Sequence, residues 1–258
     1  MSVAQHGELR RAADPKIRWV ALSGPVEELR AVKGADEIAQ MRQAARLGCE
    51  AFERVLPLVK PGVREVELAA EIEYRMRQGG ASGAAFPTIV ASGARAALPH
   101  AQPTKKRLGK NDLVVLDLGA ILGHYCCDLT RTVYLGRAPS RIRRWYQAVQ
   151  EAQAAAREAL CAGVAAGEVD AAARRVLKRF RLDRHFLHST GHGLGLEVHE
   201  EPRLAKGQKK IIQAGNVVTL EPGVYIEGVG GIRSEDDVAV FSDRTETLTS
   251  APGDFLEL

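Results

Sequence analysis

Three histidines, His188, His192 and His199, stand among three glycines and three acids in HSTGHGLGLEVHEEP, residues 188–202. Imidazoles in such company can ligate a metal, move a proton or polarise a carbonyl. His188 and His192 are four apart, as on a zinc-protease helix, but that pattern needs Glu directly after the first His and Ser189 follows here. Gly191, Gly193 and Gly195 would each cost such a helix roughly 1 kcal/mol relative to alanine. An extended segment fits better, because glycine lets backbone crowd a ligand. In a regular strand His192 and His199, seven apart, point to opposite faces. They therefore do different jobs or straddle a bulge.

Four acids accompany them in two β-rich segments. LVVLDLGAILGHYCCDLTRTVYLG (113–136) reads as two β runs about a turn. A two-residue turn at Leu122–Gly123 sets Asp117 directly opposite Asp128, with Cβ atoms ~5 Å apart. NVVTLEPGVYIEGVGGIRSEDDVAVF (216–241) turns about Gly228 and sets Glu221 opposite Glu235. Period-two alternation puts Tyr225 and Arg233 on that same face, and a bulge at Pro222–Gly223 would shift the register. A single Asp or Glu is ordinarily exposed. Four of them facing in pairs within apolar strands repel one another unless positive charge lies between. Arg233 neutralises one; one or two divalent cations would settle the rest. His192 adds a nitrogen donor, and carboxylates with imidazole suit manganese, cobalt, zinc or iron better than a thiolate site would. Two ions ~3.5–4 Å apart need bridging ligands, which carboxylates supply.

The elements that must position these residues repeat. Apolar Ile38, Met41, Ala45, Phe52 and Val55 recur at helical spacing in residues 35–59, and a second helix over 64–80 ends on glycine. Strand-like FPTIVAS, a polar loop through LPHAQPTKKRLGK and the first β pair follow. After Pro139 come a helix over 141–162, a second from Glu168 to Phe180, the histidine segment and the second β pair. Helix, helix, hairpin thus occurs twice, which predicts two related halves packed face to face as one α+β domain. The first 30 residues are polar, with a short candidate strand at IRWVAL (17–22), and read as an N-terminal extension ahead of a catalytic body spanning 31–258.

Composition excludes several classes. With 258 residues, 45% hydrophobic and 26% charged, the chain is globular, and its net charge of +4 implies no nucleic-acid partner. The basic run RRVLKRFRLDR (174–184) reads as a solvated helix face and its exit. No apolar run reaches the ~18 residues of a membrane span. The N-terminus lacks the apolar core of a signal peptide, so the cytoplasm is the expected location. Cys49, Cys126, Cys127 and Cys161 show no metal or redox spacing and read as free thiols.

The motifs LDLG, CDLTRT, STGHGLGLEVHEEP, LEPGVY and GIRSEDD, in that order, carry a family resemblance. Over roughly residues 27–245 the chain resembles the pita-bread metallopeptidases, the fold shared by methionine aminopeptidase, aminopeptidase P and prolidase. The resemblance implies a dinuclear site of Asp117, Asp128, His192, Glu221 and Glu235. Asp128 and Glu235 would bridge, Asp117 would serve one ion, and His192 and Glu221 the other. His188, Tyr225 and Arg233 together look like the prolyl-specific branch, and His100 in ALPHAQPT sits where that branch has a substrate-side histidine. The implied activity is release of the N-terminal residue from Xaa-Pro peptides. A water shared by two divalent ions, manganese first among them, would attack the scissile carbonyl. Glu221 would carry a proton to the leaving nitrogen, His199 would donate to the oxyanion, and His100 would touch the substrate backbone. His188, Tyr225 and Arg233 would shape the prolyl pocket. The alternatives are an Xaa-Pro dipeptidase, a methionine aminopeptidase, and a non-catalytic peptide- or protein-binding module on this fold; the resemblance also leaves room for a homodimer. Three features depart from the branch. It usually carries an additional N-terminal domain, Ser234 replaces a common aliphatic residue, and Cys127 a common Ser. Parity turns Ser234 and Cys127 away from the metals.

Overall fold

The computed structural model describes all 258 residues. Two short helices precede the repeats, α1 (Val3–Ala12) and α2 (Pro25–Ala31). α1 opens with a capping box, the Ser2 hydroxyl accepting from the Gln5 N–H and the Gln5 side chain from the Ser2 N–H. Pro25 starts α2, where its missing N–H goes unneeded. IRWVAL corrects the expectation of a strand: residues 17–22 are exposed and pair with no sheet. Its β-branched residues have no neighbouring edge to satisfy their amides.

The first half contains α3 (Ala35–Val55), α4 (Glu65–Gln78), β1 (Gly83–Ala84), β2 (Ile89–Ser92), β3 (Leu113–Leu118), β4 (Ala120–Leu122), β5 (Tyr125–Cys126) and β6 (Leu129–Tyr134). The second contains α5 (Ser140–Ala159), α6 (Ala166–Arg179), β7 (Gly191–Gly193), β8 (Glu200–Leu204), β9 (Val217–Leu220), β10 (Gly223–Ile226), β11 (Gly230–Arg233) and β12 (Asp236–Val240). Two edge strands, β13 (Thr245–Thr247) and β14 (Leu256–Glu257), complete the sheets. The two larger sheets run β14-β6-β3-β2 and β13-β12-β9-β7-β8, and two smaller ones are β1-β4-β5 and β10-β11. The antiparallel trio β6-β3-β2 therefore matches β12-β9-β7, and the helix pairs α3/α4 and α5/α6 correspond. This is the expected α+β architecture of two pseudo-symmetric halves. No helix is long and apolar enough to cross a membrane.

Alternation along these strands decides what meets between the halves. In β3, Val114, Leu116 and Leu118 join the apolar cluster built with α3 and α4. In β9, Val218 and Leu220 join the cluster built with α5 and α6. Side chains alternate across a strand, so Asp117 on one sheet and Thr219 on the other, with Glu221 just beyond it, turn toward the opposite half. Each half thus packs one sheet face on its own helices and presents the other face to its partner.

The first hairpin differs in register from the expectation. β3 and β6 pair Asp117 with Thr130 and Leu118 with Leu129, while β4 and β5 pair Leu122 with Tyr125. The turn is Gly123–His124, with φ of 55° and 73°, not Leu122–Gly123. Two consecutive positive φ values make the mirror-image turn whose twist suits a two-residue hairpin. Asp128 consequently lies diagonal to Asp117 rather than directly across. The slip is two residues, and an even slip keeps both acids on one face. In the second half Leu220 pairs with Asp236 and Gly223 with Arg233, one continuous register that leaves Glu221 opposite Glu235 with no bulge.

Arg131 ties the halves together. Its side chain, in a residue only 3% exposed, donates to Asp236 Oδ1 at 2.8 Å and to the carbonyls of Glu235, Ala251 and Pro252. Removing one partner of a buried ion pair strands the other charge. Arg131→Ala should therefore lower the unfolding free energy by about 3 kcal/mol, at the low end because Arg157 and Gln153 also hold Asp236. Urea titration checks this, and a loss below ~1 kcal/mol would place the arginine among weak surface contacts.

Candidate metal centre and active site

The five expected metal ligands come to one place from both halves. Asp117 ends near the close of β3, Asp128 precedes β6, His192 is the middle of β7, Glu221 follows β9 and Glu235 precedes β12. Donor atoms of Asp128, His192 and Glu235 lie within 4.8 Å of one another. His192 Nε2 is 3.4 Å from Glu221 Oε1 and 3.8 Å from Asp128 Oδ2. His192 Nδ1 sits 3.0 Å from the Gly193 carbonyl, and the tautomer this contact requires leaves Nε2 bare toward the acids. Asp117 gives Oδ2 to Arg233 Nη2 at 2.5 Å, while Oδ1 of Asp117 and Oδ1 of Asp128 are buried with no hydrogen-bond partner. Buried carboxylate oxygens without donors are costly. An oxygen-rich set with one imidazole, two orphaned oxygens and no thiolate fits divalent cations. A single arginine on one acid of four cannot replace them.

The electrostatics agree. Burial, then the neighbouring carboxylates, pushes the carboxyls of Asp128 and Glu235 well above the usual range. Glu221 is pushed up to about 7, by burial first, with Arg233 opposing and Asp117 adding to it. Burial lowers His192, and burial with Arg233 nearby takes His188 down to about 3, so both rings are neutral near pH 7.

The glycines of the histidine segment are explained by close approach. A Cβ on Gly191 would meet the Thr219 carbonyl, and one on Gly193 the Glu201 carbonyl. β7 and β8 pair with a register shift, and the connecting loop folds His199 back so that its ring lies 4.3 Å from that of His192. Opposite faces, expected of a straight strand, do not occur.

A cavity of about 690 Å³ holds all five donors, lined also by Phe86, Ile89, His100, His188, His199 and Arg203. Tyr225 does not line it but sits behind. Its hydroxyl accepts from Arg233 Nη1 at 2.7 Å and lies 2.8 Å from His188 Nε2. Asp117, Arg233, Tyr225 and His188 therefore form one chain, ending where His188 Nδ1 meets the Ser189 carbonyl. Ser234 Oγ turns to Gln153, and Cys127 Sγ accepts from the Ala120 N–H, both away from the donors as parity required.

Sequence reading missed several supporting residues. Thr130 donates to Glu235 Oε2 and accepts from Arg233 Nε, Thr219 donates to Glu221 Oε1, and Asp237 accepts the Asp128 N–H. Each is two residues from a named ligand, so period-two alternation alone would have placed it. Asp170 and Glu65 gave no such signal. Asp170 accepts from the N–H and hydroxyl of Thr190, just before β7, and Glu65 accepts from the N–H and hydroxyl of Ser92.

Two facing hairpins that converge on a buried four-carboxylate, one-histidine cluster define a metal-dependent hydrolase of the pita-bread fold. The chain belongs to metallopeptidase family M24, whose model matches residues 39–241. It is 40% identical to an Xaa-Pro dipeptidase of Pyrococcus furiosus over 90% of this chain and 66% of that protein. Among solved structures it is similar to an Xaa-Pro dipeptidase from Bacillus anthracis, with TM-score 0.97, 39% identity, and coverage of 100% of this chain and 72% of that one. It is likewise similar to an X-Pro aminopeptidase from Thermotoga maritima, with TM-score 0.95, 36% identity and coverage of 100% and 72%. The chain spans about two thirds of the length of the curated relatives it matches. These similarities place it with the prolyl-specific branch of the family.

The raised carboxyls make a stability prediction. A folded state that holds protons more tightly than the unfolded chain loses stability as pH rises. Each unit by which such a pKa exceeds its unfolded value removes about 1.4 kcal/mol once the group ionises. The buried histidines act in the opposite sense but only below about pH 6.5. Chelator-treated protein should therefore melt lower as pH is raised through about 7, where Glu221 ionises, and added manganese should flatten that dependence. Thermal scans with and without chelator test this; parallel curves would show that no cation relieves these acids.

Proposed function

We propose that this site hydrolyses the Xaa-Pro bond at the N-terminus of short peptides and releases the first residue. The convergence of Asp117, Asp128, His192, Glu221 and Glu235 in one cavity, with His100, His188 and His199 around it, carries the reading. Two divalent ions, manganese foremost with cobalt, zinc or iron as alternatives, would supply an acidified water and polarise the scissile carbonyl. Asp117, Asp128, His192, Glu221 and Glu235 would hold them. Glu221, through its second carboxylate oxygen, would carry the proton lost by the attacking water to the departing prolyl nitrogen. Partial desolvation within the cavity and the adjacent His192 lower the pKa of His199, and its N–H would meet charge developing on the carbonyl oxygen. His100 is exposed on the cavity wall and would contact the substrate backbone. The chain from Arg233 through Tyr225 to His188 would hold the wall of the prolyl pocket rigid.

A second reading restricts the substrate to dipeptides. Arg203 lines the cavity with no acidic group within 4.0 Å, a suitable partner for a carboxylate one residue beyond the scissile bond. The names of the relatives include both activities.

Turnover of Ala-Pro beside Ala-Pro-Ala, with and without added manganese, separates these readings. Cleavage of both at similar kcat/KM supports the aminopeptidase; cleavage of Ala-Pro alone supports the dipeptidase. Hydrolysis that persists after complete chelation would remove the metal account. His192→Ala should abolish metal loading, whereas His199→Ala should keep its metal and lose ~100-fold in kcat. Equal metal loss in both variants would overturn the division of roles.

A further inference from the structure

His199 has no hydrogen-bond partner among the contacts of the molecule, and it rides on an exposed loop between β7 and β8. Something must nevertheless hold its ring in the cavity wall, 4.3 Å from that of His192. The next residue, Glu200, does not point into the cluster. Its side chain is 5% exposed and accepts from Lys33 Nζ at 2.8 Å, Arg30 Nη2 at 2.5 Å and the Glu197 N–H at 3.1 Å. Lys33, 2% exposed at its side chain, is itself fixed, its N–H donating to the Gly215 carbonyl just ahead of β9. The Ala31 carbonyl, beside it, accepts from the Asn216 side chain at 2.8 Å. Gly195 completes the fit: a Cβ there would lie 2.7 Å from Glu200 Oε2 and 2.8 Å from Lys33 Cε. The same carboxylate thus closes the loop on itself through Glu197 and anchors it to the segment joining α2 and α3.

We propose that Glu200, clamped by Lys33 and Arg30, is a positioning residue that sets the reach of His199, so that the α2–α3 junction controls the polarising group of the reaction. The inference rests on the role given to His199 above. A displacement near 1 Å of a group that acts only in the transition state can cost ~100-fold in rate without weakening substrate binding. Arg30 also lines the cavity, so the clamp reaches the substrate chamber from outside the two repeats. It contacts none of the five metal-binding residues, which separates its effect from metal loading.

The test is a double-mutant cycle on the metal-loaded protein, reading kcat, KM and metal content separately. Glu200→Gln keeps the shape and removes the charge. In the wild-type background it should lower kcat about 10-fold, with KM and metal content unchanged. On a His199→Ala background it should have no further effect on kcat. Equal losses in both backgrounds would make Glu200 a structural staple and overturn the proposal, as would a change confined to KM or accompanied by metal loss. If His199→Ala itself leaves kcat intact, the polarising role of His199 fails and this inference falls with it; that outcome is distinct from additivity. Should Glu200→Gln fail to fold, Arg30→Gln removes the partly exposed arm of the clamp. It should lower kcat about 3-fold only where His199 is present, and an equal loss in both backgrounds overturns the proposal.

Discussion

Too much negative charge is gathered between the two halves for the residues around it to neutralise. Asp117, Asp128, Glu221 and Glu235 share one cavity, and Asp237 stands immediately behind Asp128. Arg233 is the one cation hydrogen-bonded to any of the four side-chain carboxylates, and it serves Asp117. Burial would drive Asp128, Glu221 and Glu235 to hold protons, which is the state least able to act as ligands. The architecture makes sense as a device for keeping them together despite this cost. The inward faces of two sheets aim them at one another, and the outward faces commit each sheet to its own helices. Arg131 secures the join, reaching Asp236 and the main-chain carbonyl of Glu235 but none of the donor side chains.

The second hairpin was legible from sequence because every inward residue from Glu221 to Glu235 obeyed one period and one turn. The first was read two residues out of register. His124 adopts a left-handed conformation that few non-glycine residues take, and although histidine does so more often than most, its identity marked the turn only weakly. The error did no harm to the site because an even slip preserves the face. A one-residue slip would have sent Asp117 or Asp128 into the apolar cluster. The N-terminal residues failed for a different reason. IRWVAL has the composition of a strand, but a strand needs a neighbour, and neighbours are a property of the whole chain rather than of six residues. The Ser2–Gln5 capping box, by contrast, was readable locally and went unread.

Three buried acids outside the metal cluster lay beyond sequence reading altogether. Glu65, Asp170 and Glu200 belong to no spacing pattern that distinguishes them from surface acids. Glu65 and Asp170 take backbone amides, hydroxyls and one arginine each, and Glu200 takes Lys33, Arg30 and the Glu197 N–H. Glu65 at the start of α4 and Asp170 in α6 nevertheless do similar things in corresponding halves, Glu65 taking the N–H and hydroxyl of Ser92, which closes β2, and Asp170 those of Thr190, just before the matching strand β7. Helix-to-strand anchoring of this kind fixes the segment that leads to a cavity-lining histidine: Ser92 precedes His100, and Thr190 separates His188 from His192. The internal echo detected in the helix and hairpin order therefore extends to single side chains.

The four cavity histidines divide by how completely their rings are held. His188 and His192 each have one nitrogen against a backbone carbonyl, and the other against Tyr225 or the acid cluster. Neither can turn without breaking a contact in a desolvated setting, where an unmade hydrogen bond is expensive. His100 and His199 have no such ties, yet their backbones are anchored by loops that Glu65 and Glu200 grip. Rigid rings suit ligation and shaping of a pocket, whose geometry must be the same before and after each turnover. Untied rings on anchored loops suit groups whose hydrogen bonds form only as charge develops on the substrate. Satisfying those donors in the resting protein would spend, before the transition state, the interaction that makes them useful.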